Sequence, residues 1–320
     1  MPLRSGQNGD MQRSSTIVIG LIVVVVAVVI GFLVFSQPTT APPLPSPEAS
    51  ESAAASASAA LSLAADLLER RWTILYVGTD LNAAREEDGD APNADSLLVV
   101  SASADQSELT LISLPRDTVD VPLEDGGTYD KKINALYQEQ GIDALVGAMS
   151  ALYDVPIDGY VVLDMDDFTR LVDAVGTIEV NPEAPLTDPI VDLDLEPGPQ
   201  EIDGFTANGY VRTRVDQDYG RMGRQQEVLV ALVAKLVDPE TDVDLDALLD
   251  GLDSLETDLP LDELGTLMEL ARRTGAADVR YVLIEPPLIT FEGDRNDGRG
   301  YILEADVPAI QAEVQELIGE

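Results

Sequence analysis

A run of twenty residues without a charge, residues 16–35, lies near the start of the chain. At a rise of about 1.5 Å per residue, a helix of this length spans roughly 30 Å, the hydrocarbon thickness of a bilayer. The run is long for the apolar part of a signal peptide, and the Phe-Ser-Gln-Pro stretch that ends it lacks a small-x-small cleavage site. We therefore predict a retained transmembrane helix rather than a cleaved signal peptide.

Basic residues flank this predicted anchor on one side only. Arg4 and Arg13 precede it, and the first basic residue after it is Arg70. Because positively charged flanks stay in the cytoplasm, residues 1–15 are predicted to be a cytoplasmic tail of a single-pass cell-membrane protein. Residues 36–66 are rich in Pro, Ser and Ala and are typical of a linker, so the folded domain at 67–320 is predicted to be extracytoplasmic and close to the membrane.

The composition limits the chemistry that this domain can perform. The chain has 59 acidic and 19 basic residues, a net charge of −40, and it contains neither His nor Cys. A Ser-His-Asp triad, thiol nucleophiles, disulfides and Cys-ligated metals are therefore excluded. The acidic field opposes binding to phosphate backbones, so we expect no nucleic acid partner. Carboxylates, Arg, Lys, hydroxyls and an oxygen-liganded cation remain as catalytic groups.

Apolar runs and helical spacings alternate through the predicted domain. Strands are predicted at residues 72–78, 96–102, 108–114, 159–163, 177–180, 279–284 and 301–303. Helices are predicted at 132–139, 142–152, 166–175, 205–214, 220–236, 245–252 and 261–273 and from 307 onward, and five prolines predict an irregular excursion at 181–199. We predict an α/β/α sandwich around one central mixed β-sheet, which the C-terminal strands are expected to complete.

Arginines are concentrated in residues 208–225. The window holds four, where the basic content of the whole chain predicts about one: Arg212, Arg214, Arg221 and Arg224. A guanidinium binds phosphate oxygens through two parallel donors and keeps its charge, which favours an anion site. The alternative is a surface salt-bridge network with Asp216 and Asp218.

Three further polar residues flank predicted strands. Arg116 follows the strand at 108–114, at the carboxyl end where open α/β sheets bind ligands. Asp80 follows the first strand and Asp95 precedes the second. Two carboxylates beside phosphate-binding arginines suit Mg²⁺ or Mn²⁺, which takes its other ligands from phosphate and water.

The order of the motifs is more specific than any one of them. VGTD, NADSLLVVS, LISLPRD, KIN, PIDGYVVLDMDDFTRLVDAVGTIEV, GPQEIDG, YVRTR and DYGRMGRQQ follow one another across residues 73–236. Together they strongly resemble the LytR-CpsA-Psr family of cell-wall glycopolymer ligases. The resemblance implies a phosphotransferase that moves a glycan phosphate, such as teichoic acid or capsule, from an undecaprenyl-pyrophosphate carrier to a peptidoglycan hydroxyl, usually the muramic acid 6-OH.

The resemblance also implies roles for individual residues. Asp80 and Asp95 would hold the divalent metal, and Asp80 and Arg116 would be catalytic. Six residues would line the pyrophosphate: Arg116, Lys132, Arg212, Arg214, Arg221 and Gln225. The family's apolar tunnel for the polyprenyl tail would be walled here by residues 168–175 and 228–236, which ordinary core packing also explains.

Two departures from the family pattern accompany these assignments. Asn82 and Asn93 stand where the family usually has Arg, and Arg85 is a candidate substitute in the same loop. With no His in the chain, an Asp such as Asp80 or Asp117 is the expected proton acceptor.

Three other functions fit the same motifs. A polyprenyl-pyrophosphate hydrolase would use water in place of the sugar hydroxyl, and a non-catalytic lipid-binding envelope regulator would need only the arginines. A purely structural domain would scatter the arginines over its surface.

Overall fold

The computed structural model describes residues 68–80, 92–238, 240–251, 255–260, 264–274 and 277–319. The predicted cytoplasmic tail, transmembrane helix and linker lie outside the described residues, and so do Asn82 and Arg85. Within the described ranges, no helix has the length and apolar character needed to cross a bilayer.

Strands and helices alternate along the described chain. The strands are β1 (Trp72–Thr79), β2 (Ala94–Ala102), β3 (Glu108–Ser113), β4 (Thr118–Val119), β5 (Val121–Pro122), β6 (Thr128–Tyr129), β7 (Gly159–Leu163), β8 (Ile178–Val180), β9 (Leu186–Asp188), β10 (Leu193–Leu195), β11 (Gln200–Ile202), β12 (Glu256–Thr257), β13 (Asp278–Leu283), β14 (Ile289–Asp294) and β15 (Tyr301–Ala305). The helices are α1 (Asn134–Gln140), α2 (Ile142–Tyr153), α3 (Met165–Ala174), α4 (Gly204–Arg212), α5 (Gln217–Val237), α6 (Leu245–Asp250), α7 (Leu264–Thr274) and α8 (Val307–Ile318).

Six strands form the central sheet, in the order β12-β7-β1-β2-β3-β13. Strands β1, β2 and β3 form an antiparallel meander, whereas β7 pairs parallel with β1 and β13 pairs parallel with β3. The predicted mixed sheet is therefore confirmed.

Side chains of β1 alternate between two cores. Leu75 and Val77 face a core that includes residues of α1, α2 and α8, whereas Trp72 and Ile74 face a core that includes residues of α5 and α7. A third core joins α3, α4, α5 and α6 to β8–β11. Each large apolar side chain that becomes buried stabilises the fold by about 1.5–3 kcal/mol. The packing of helices against both faces therefore stabilises the central sheet. This is the predicted three-layer arrangement.

Capping residues fix the starts of helices α3 and α4, and one glycine allows the two helices to pack closely. The carboxylates of Asp164 and Asp203 accept hydrogen bonds from backbone N–H groups of the first turns of α3 and α4, respectively. A Cβ atom on Gly204 would lie 2.3 Å from the carbonyl oxygen of Thr169, so only glycine permits this approach.

Two expectations about the fold were wrong. The predicted irregular excursion at 181–199 contains the antiparallel pair β9–β10, because its prolines lie outside the paired positions. At the C-terminal end β13 joins the central sheet, but β15 pairs with β14 and β4 in a separate three-stranded sheet. Pro286 and Pro287 follow β13 and cannot donate to a continuing ladder, so the chain leaves the central sheet there. In addition, sequence analysis did not predict strand β14, because polar and exposed residues interrupt its apolar pattern.

Candidate active site

The predicted strand-end residues meet at one edge of the central sheet. Strands β1, β3, β7 and β13 end at this edge, and β2 begins there. Asp80 lies opposite Asn93, whose backbone N–H donates to Asp80 Oδ1 at 2.8 Å and whose amide donates to Oδ2 at 3.5 Å. Asn93, at one of the two positions where the family usually has Arg, thus positions the Asp80 carboxylate.

Arginines from two parts of the chain converge on this edge. Arg116, just after β3, forms an ion pair with Asp95. From the α4–α5 region, Arg214 lies 3.3 Å and Arg221 lies 3.5 Å from the Asp218 carboxylate. The charges of Arg116 and Asp95 also act on Arg221, which joins the two halves. We call these five residues, Asp95, Arg116, Arg214, Asp218 and Arg221, the cationic cluster.

Several buried polar atoms of the cationic cluster have no hydrogen-bond partner. Among the described residues six buried side-chain polar atoms are unpartnered, and four belong to this cluster. They are Asp95 Oδ1, Arg116 Nε, Asp218 Oδ2 and Arg221 Nε. An unpartnered buried polar atom costs about 1–3 kcal/mol, so this concentration indicates a site made for a polar ligand.

Burial also shapes the electrostatics of Arg221. Its side chain is 3% exposed, and this burial, with the charges of Arg214 and Arg116, outweighs the opposing effect of Asp218 and Asp95 and lowers its pKa to about 10. Arg221 is still protonated at neutral pH. A buried cation next to two further guanidiniums favours the binding of a multiply charged anion.

Lys132 adds a fourth cation beside Arg116. Its ammonium lies 3.0 Å from Asp117, the residue that follows Arg116. Backbone hydrogen bonds from Ile133 to Thr118 (2.8 Å) and from Asn134 to Arg116 (3.2 Å) fix the Lys-Ile-Asn segment against this turn. Lys132 therefore belongs to the site through Asp117.

An apolar chamber opens at the same edge. Its empty space, which includes open solvent at the mouth, is about 460 Å³, and it is lined mainly by apolar side chains, with Asp95, Asp164 and Gln225 among the polar ones. The apolar part of its wall comes from Tyr76, Leu163, Met165, Phe168, Val211 and Leu229. Phe168 and Leu229, one from each of the two segments expected to wall a polyprenyl tunnel, both line this chamber, and the binding of a polyprenyl tail there stays a prediction. A ligand in this chamber would reach the cationic cluster at Asp95.

The structure separates Arg212 from Arg214. Helix α4 ends at Arg212, and Thr213 has an extended backbone, so Arg214 turns toward α5. Arg212 is exposed, and its described hydrogen bond, 3.4 Å long, goes to Asn208 in its own helix. Among the described contacts, none joins Arg212 to the cationic cluster.

Arg224 has a structural role instead of lining the cluster. Its side chain is buried, donates to the carbonyl oxygens of Tyr210 (2.8 Å) and Thr213 (2.6 Å), and pairs with Asp216. It therefore ties the end of α4 to α5. The predicted pairing with Asp216 and Asp218 is thus found for Arg214, Arg221 and Arg224, although Arg221 and Arg224 are buried and not on the surface. The gathering of Arg116, Arg214 and Arg221 contradicts a domain that scatters its arginines.

Replacing Arg224 with Ala is expected to lower the free energy of unfolding by about 3 kcal/mol. The substitution leaves two buried carbonyl groups without their donors and breaks an ion pair that is buried on the arginine side. Urea unfolding measures the change, with Arg273→Ala as the control because Arg273 is exposed and pairs with Glu269 within α7. An Arg224→Ala protein as stable as the parent would contradict this role.

Sequence reasoning did not assign Asp218 to the site. Asp218 lies four residues after Arg214 and three before Arg221, a spacing that places it between the two guanidiniums once α5 forms. That spacing is visible in the sequence, but there it equally fits a salt-bridge network without a ligand.

Comparison with known proteins agrees with the fold and the site described above. The fold and the site define an α/β domain suited to an amphiphilic anion. A sequence model of the LytR_cpsA_psr family matches residues 47–315, and the chain belongs to that family.

Three individual proteins illustrate the similarity. The polyisoprenyl-teichoic acid–peptidoglycan teichoic acid transferase TagU of Halalkalibacterium halodurans is 30% identical over 251 residues, which are 76% of this chain and 78% of TagU. Biofilm regulatory protein A of Streptococcus mutans is 32% identical over 183 residues, 53% of this chain, and the match spans only 45% of that protein. A structure of TagT bound to LIIa-WTA superposes with a TM-score of 0.61 at 21% identity, covering 80% of this chain and 93% of TagT, and shows the shared fold.

Proposed function

We propose that this protein transfers a phosphate-linked glycan from a polyprenyl diphosphate carrier to a hydroxyl of peptidoglycan. The observation that carries the proposal is the placement of unpartnered, buried guanidinium atoms where an apolar chamber opens. A polyprenyl diphosphate has the matching two parts, a multiply charged head and an apolar tail. The names of the relatives support the same donor and acceptor, since TagU is named for transfer of polyisoprenyl-linked teichoic acid to peptidoglycan.

The cationic cluster would hold the diphosphate during the reaction. The acceptor oxygen forms a bond to the phosphorus that carries the glycan, and the bond from that phosphorus to the bridging oxygen breaks. The electron pair leaves with polyprenyl monophosphate. Arg116, Arg214 and Arg221 neutralise charge on the transferred and leaving phosphates, which is the main contribution that a protein makes to phosphoryl transfer.

A carboxylate must accept the proton of the acceptor hydroxyl, since the chain has no His. Asp117 and Asp218 are the candidates beside the guanidiniums, together with Asp80 at the end of β1. Asp117 Oδ1 pairs with Lys132, whereas Asp218 Oδ2 is buried, lies 3.5 Å from Arg221 and has no hydrogen-bond partner among the described residues.

We also propose that Mg²⁺ or Mn²⁺ binds between Asp80 and Asp95. The unpartnered Oδ1 of Asp95 and its place two residues after Asn93, which lies opposite Asp80, fit such an ion. No group of three or more metal-ligating side chains occurs among the described residues, so the ion would complete its shell with phosphate and water oxygens, as Mg²⁺ usually does. When bound, it would neutralise the diphosphate and stabilise the leaving phosphate.

Asp80→Ala is expected to weaken Mn²⁺ binding in the presence of inorganic pyrophosphate at least tenfold, and to abolish glycan transfer, because one of two protein ligands is lost. Titration followed by electron paramagnetic resonance measures the binding without relying on activity. Asp278→Asn, at the start of β13 and the opposite edge of the sheet, is the matched control. Equal Mn²⁺ affinity in parent and Asp80→Ala would refute this metal site.

We propose further that residues 16–35 anchor the chain in the cell membrane, with the N-terminus cytoplasmic and the catalytic domain outside. The charge-free length of the segment and its basic flank support this arrangement. It would place the apolar chamber within reach of lipid-linked donors.

The full chain in vesicles, supplied with a polyprenyl-diphosphate-linked glycan and peptidoglycan, tests the proposal. Transfer predicts equal amounts of polyprenyl monophosphate and of a glycan–phosphate–peptidoglycan adduct, measured by mass spectrometry. Polyprenyl monophosphate with free glycan phosphate and no adduct would establish a hydrolase instead. If neither product forms, both enzymatic functions are contradicted and a lipid-binding regulator is the function that remains.

A further inference from the structure

Two tyrosines and a glutamate form a cluster beside the cationic cluster. The phenol of Tyr219, on the first turn of α5, donates to Glu292 Oε1 on β14. The phenol of Tyr301, on β15, donates to Glu292 Oε2 at 3.4 Å. We call Tyr219, Glu292 and Tyr301 the tyrosine clamp. The diphosphate chemistry described above gives these three residues no role.

The tyrosine clamp is held next to the reacting groups by the backbone. Tyr219 follows Asp218 directly and precedes Arg221 by two residues. On β15 the N–H of Leu303 donates to the carbonyl oxygen of Asp117 at 3.0 Å, and Leu303 pairs with Thr118. Because β15 runs parallel to β4, Tyr301 lies two residues back toward the turn of Arg116 and Asp117. Burial and the charges of Glu292, Asp218 and Asp117 raise the pKa of Tyr301, which agrees with this proximity.

The clamp and the apolar chamber lie on opposite faces of the central sheet, at the edge where the cationic cluster lies. Tyr219 and Leu303 belong to the core on the α1, α2 and α8 side of the sheet. The chamber residues Phe168 and Leu229 belong to the cores on the other side. In phosphoryl transfer the attacking and leaving oxygens lie roughly in line on opposite sides of the phosphorus. With the lipid tail in the chamber, the acceptor hydroxyl must approach from the side of the clamp.

Tyr301 and Glu292 of the clamp are exposed, Tyr219 is partly buried, and neighbouring contacts hold the strands that carry the exposed pair. The Tyr301 side chain is 54% exposed, yet its strand is fixed by Arg295, which stacks 3.5 Å from the Phe291 ring and pairs with Glu304 at 2.7 Å. Arg299, in the loop between β14 and β15, donates to the carbonyl oxygen of Asp130, next to the lysine segment, at 3.1 Å. These contacts set the position of the surface before any ligand arrives.

From this placement we propose that the tyrosine clamp is the acceptor subsite and binds a pyranose ring of the glycan that receives the phosphate. The electron-rich face of Tyr301 suits the C–H groups of a sugar ring, and the Glu292 carboxylate and the two phenol oxygens suit its hydroxyls. The inference rests on the proposed transfer and adds which surface orients the attacking hydroxyl. That hydroxyl forms the new P–O bond and gives its proton to a carboxylate of the site, while polyprenyl monophosphate leaves.

Acceptor kinetics of three variants in the full chain test the subsite. Tyr301→Ala is expected to raise the KM for a soluble peptidoglycan oligosaccharide about tenfold, Glu292→Gln to raise it severalfold, and Tyr301→Phe, which keeps the ring, to raise it less than Tyr301→Ala. Tyr281→Ala is the matched control, since Tyr281 is 52% exposed on β13 and outside the clamp. The Kd of geranyl diphosphate should stay within twofold of the parent in all four proteins.

The outcomes separate this inference from the proposed function. A parent that forms adduct while Tyr301→Ala and Glu292→Gln leave the acceptor KM unchanged would overturn the subsite and leave the transferase standing. A Tyr301→Ala effect matched by Tyr281→Ala, or one that appears as weaker geranyl diphosphate binding, would also overturn it. A parent without adduct would refute the proposed function itself.

Discussion

Replacing Arg221 with Ala is expected to reduce glycan transfer about a thousandfold while leaving the fold intact. Arg221 is the most buried guanidinium of the cationic cluster, so solvent would screen its interaction with charge that develops on the transferred phosphate less than for Arg116 or Arg214. Removing an arginine that stabilises phosphoryl transfer costs about 10³–10⁵ in rate. Initial rates of adduct formation at saturating donor measure the effect.

Two further substitutions separate charge from geometry in this experiment. Arg116→Ala should cause a loss of the same order, because Arg116 contributes to the same cluster. Arg221→Lys should recover only a small part of the rate, since an ammonium keeps the charge but lacks the planar fork. Arg273→Ala should transfer at the parental rate, because its described partner is Glu269 in its own helix. More than a tenth of the parental rate in Arg221→Ala would count against the cluster as the reacting site.

Replacing Met165 with Trp is expected to weaken the binding of a long-chain polyprenyl diphosphate about a hundredfold. Met165 lines the chamber at the start of α3 and is only partly buried, so a larger ring can fill the chamber without overpacking the core. Displacing about four carbons of lipid tail removes roughly 3 kcal/mol of apolar burial, which is about a hundredfold in affinity. Calorimetric titration with a polyprenyl diphosphate measures this loss.

Inorganic pyrophosphate provides the internal control for the chamber. Because it has no tail, its affinity should be unchanged in Met165→Trp. Ile190→Trp adds the same ring at a position that is 91% exposed and outside the chamber lining, and it should bind both ligands as the parent does. Parental affinity of Met165→Trp for the long-chain ligand would show that the tail lies elsewhere.

The strand ends were predictable because one local rule determines them. Strand β1 is mostly an apolar run and β3 is rich in Leu and Ile, and each is followed closely by a charged residue, Asp80 and Arg116. Sheet topology then brings such ends to one edge. The hairpin between β2 and β3 made the mixed sheet predictable in the same way.

The arginine-rich segment was predictable only in part. Composition identified the segment, but the extended backbone at Thr213 decides that Arg214 reaches Asp218 and that Arg212 does not. Helical spacing placed Arg224 with Arg221, whereas the carbonyl groups at the end of α4 hold it in a structural role. These distinctions depend on tertiary contacts that a periodicity does not contain.

The tyrosine clamp lay outside sequence reasoning altogether. Its members come from α5, β14 and β15, and Tyr219 and Glu292 are 73 positions apart in the chain. Glu292 is an exposed residue on a strand whose pattern is interrupted, and the chain has 59 acidic residues, so nothing local distinguishes it. Only the three-stranded sheet built by β14, β15 and β4 brings it to the site.

A crystal structure of the protein with a polyprenyl diphosphate tests the central claim most directly. We expect phosphate oxygens within hydrogen-bond distance of Arg116, Arg214 and Arg221, and the prenyl tail between Phe168 and Leu229. A diphosphate bound away from these guanidiniums, or a tail directed into solvent, would contradict the claim.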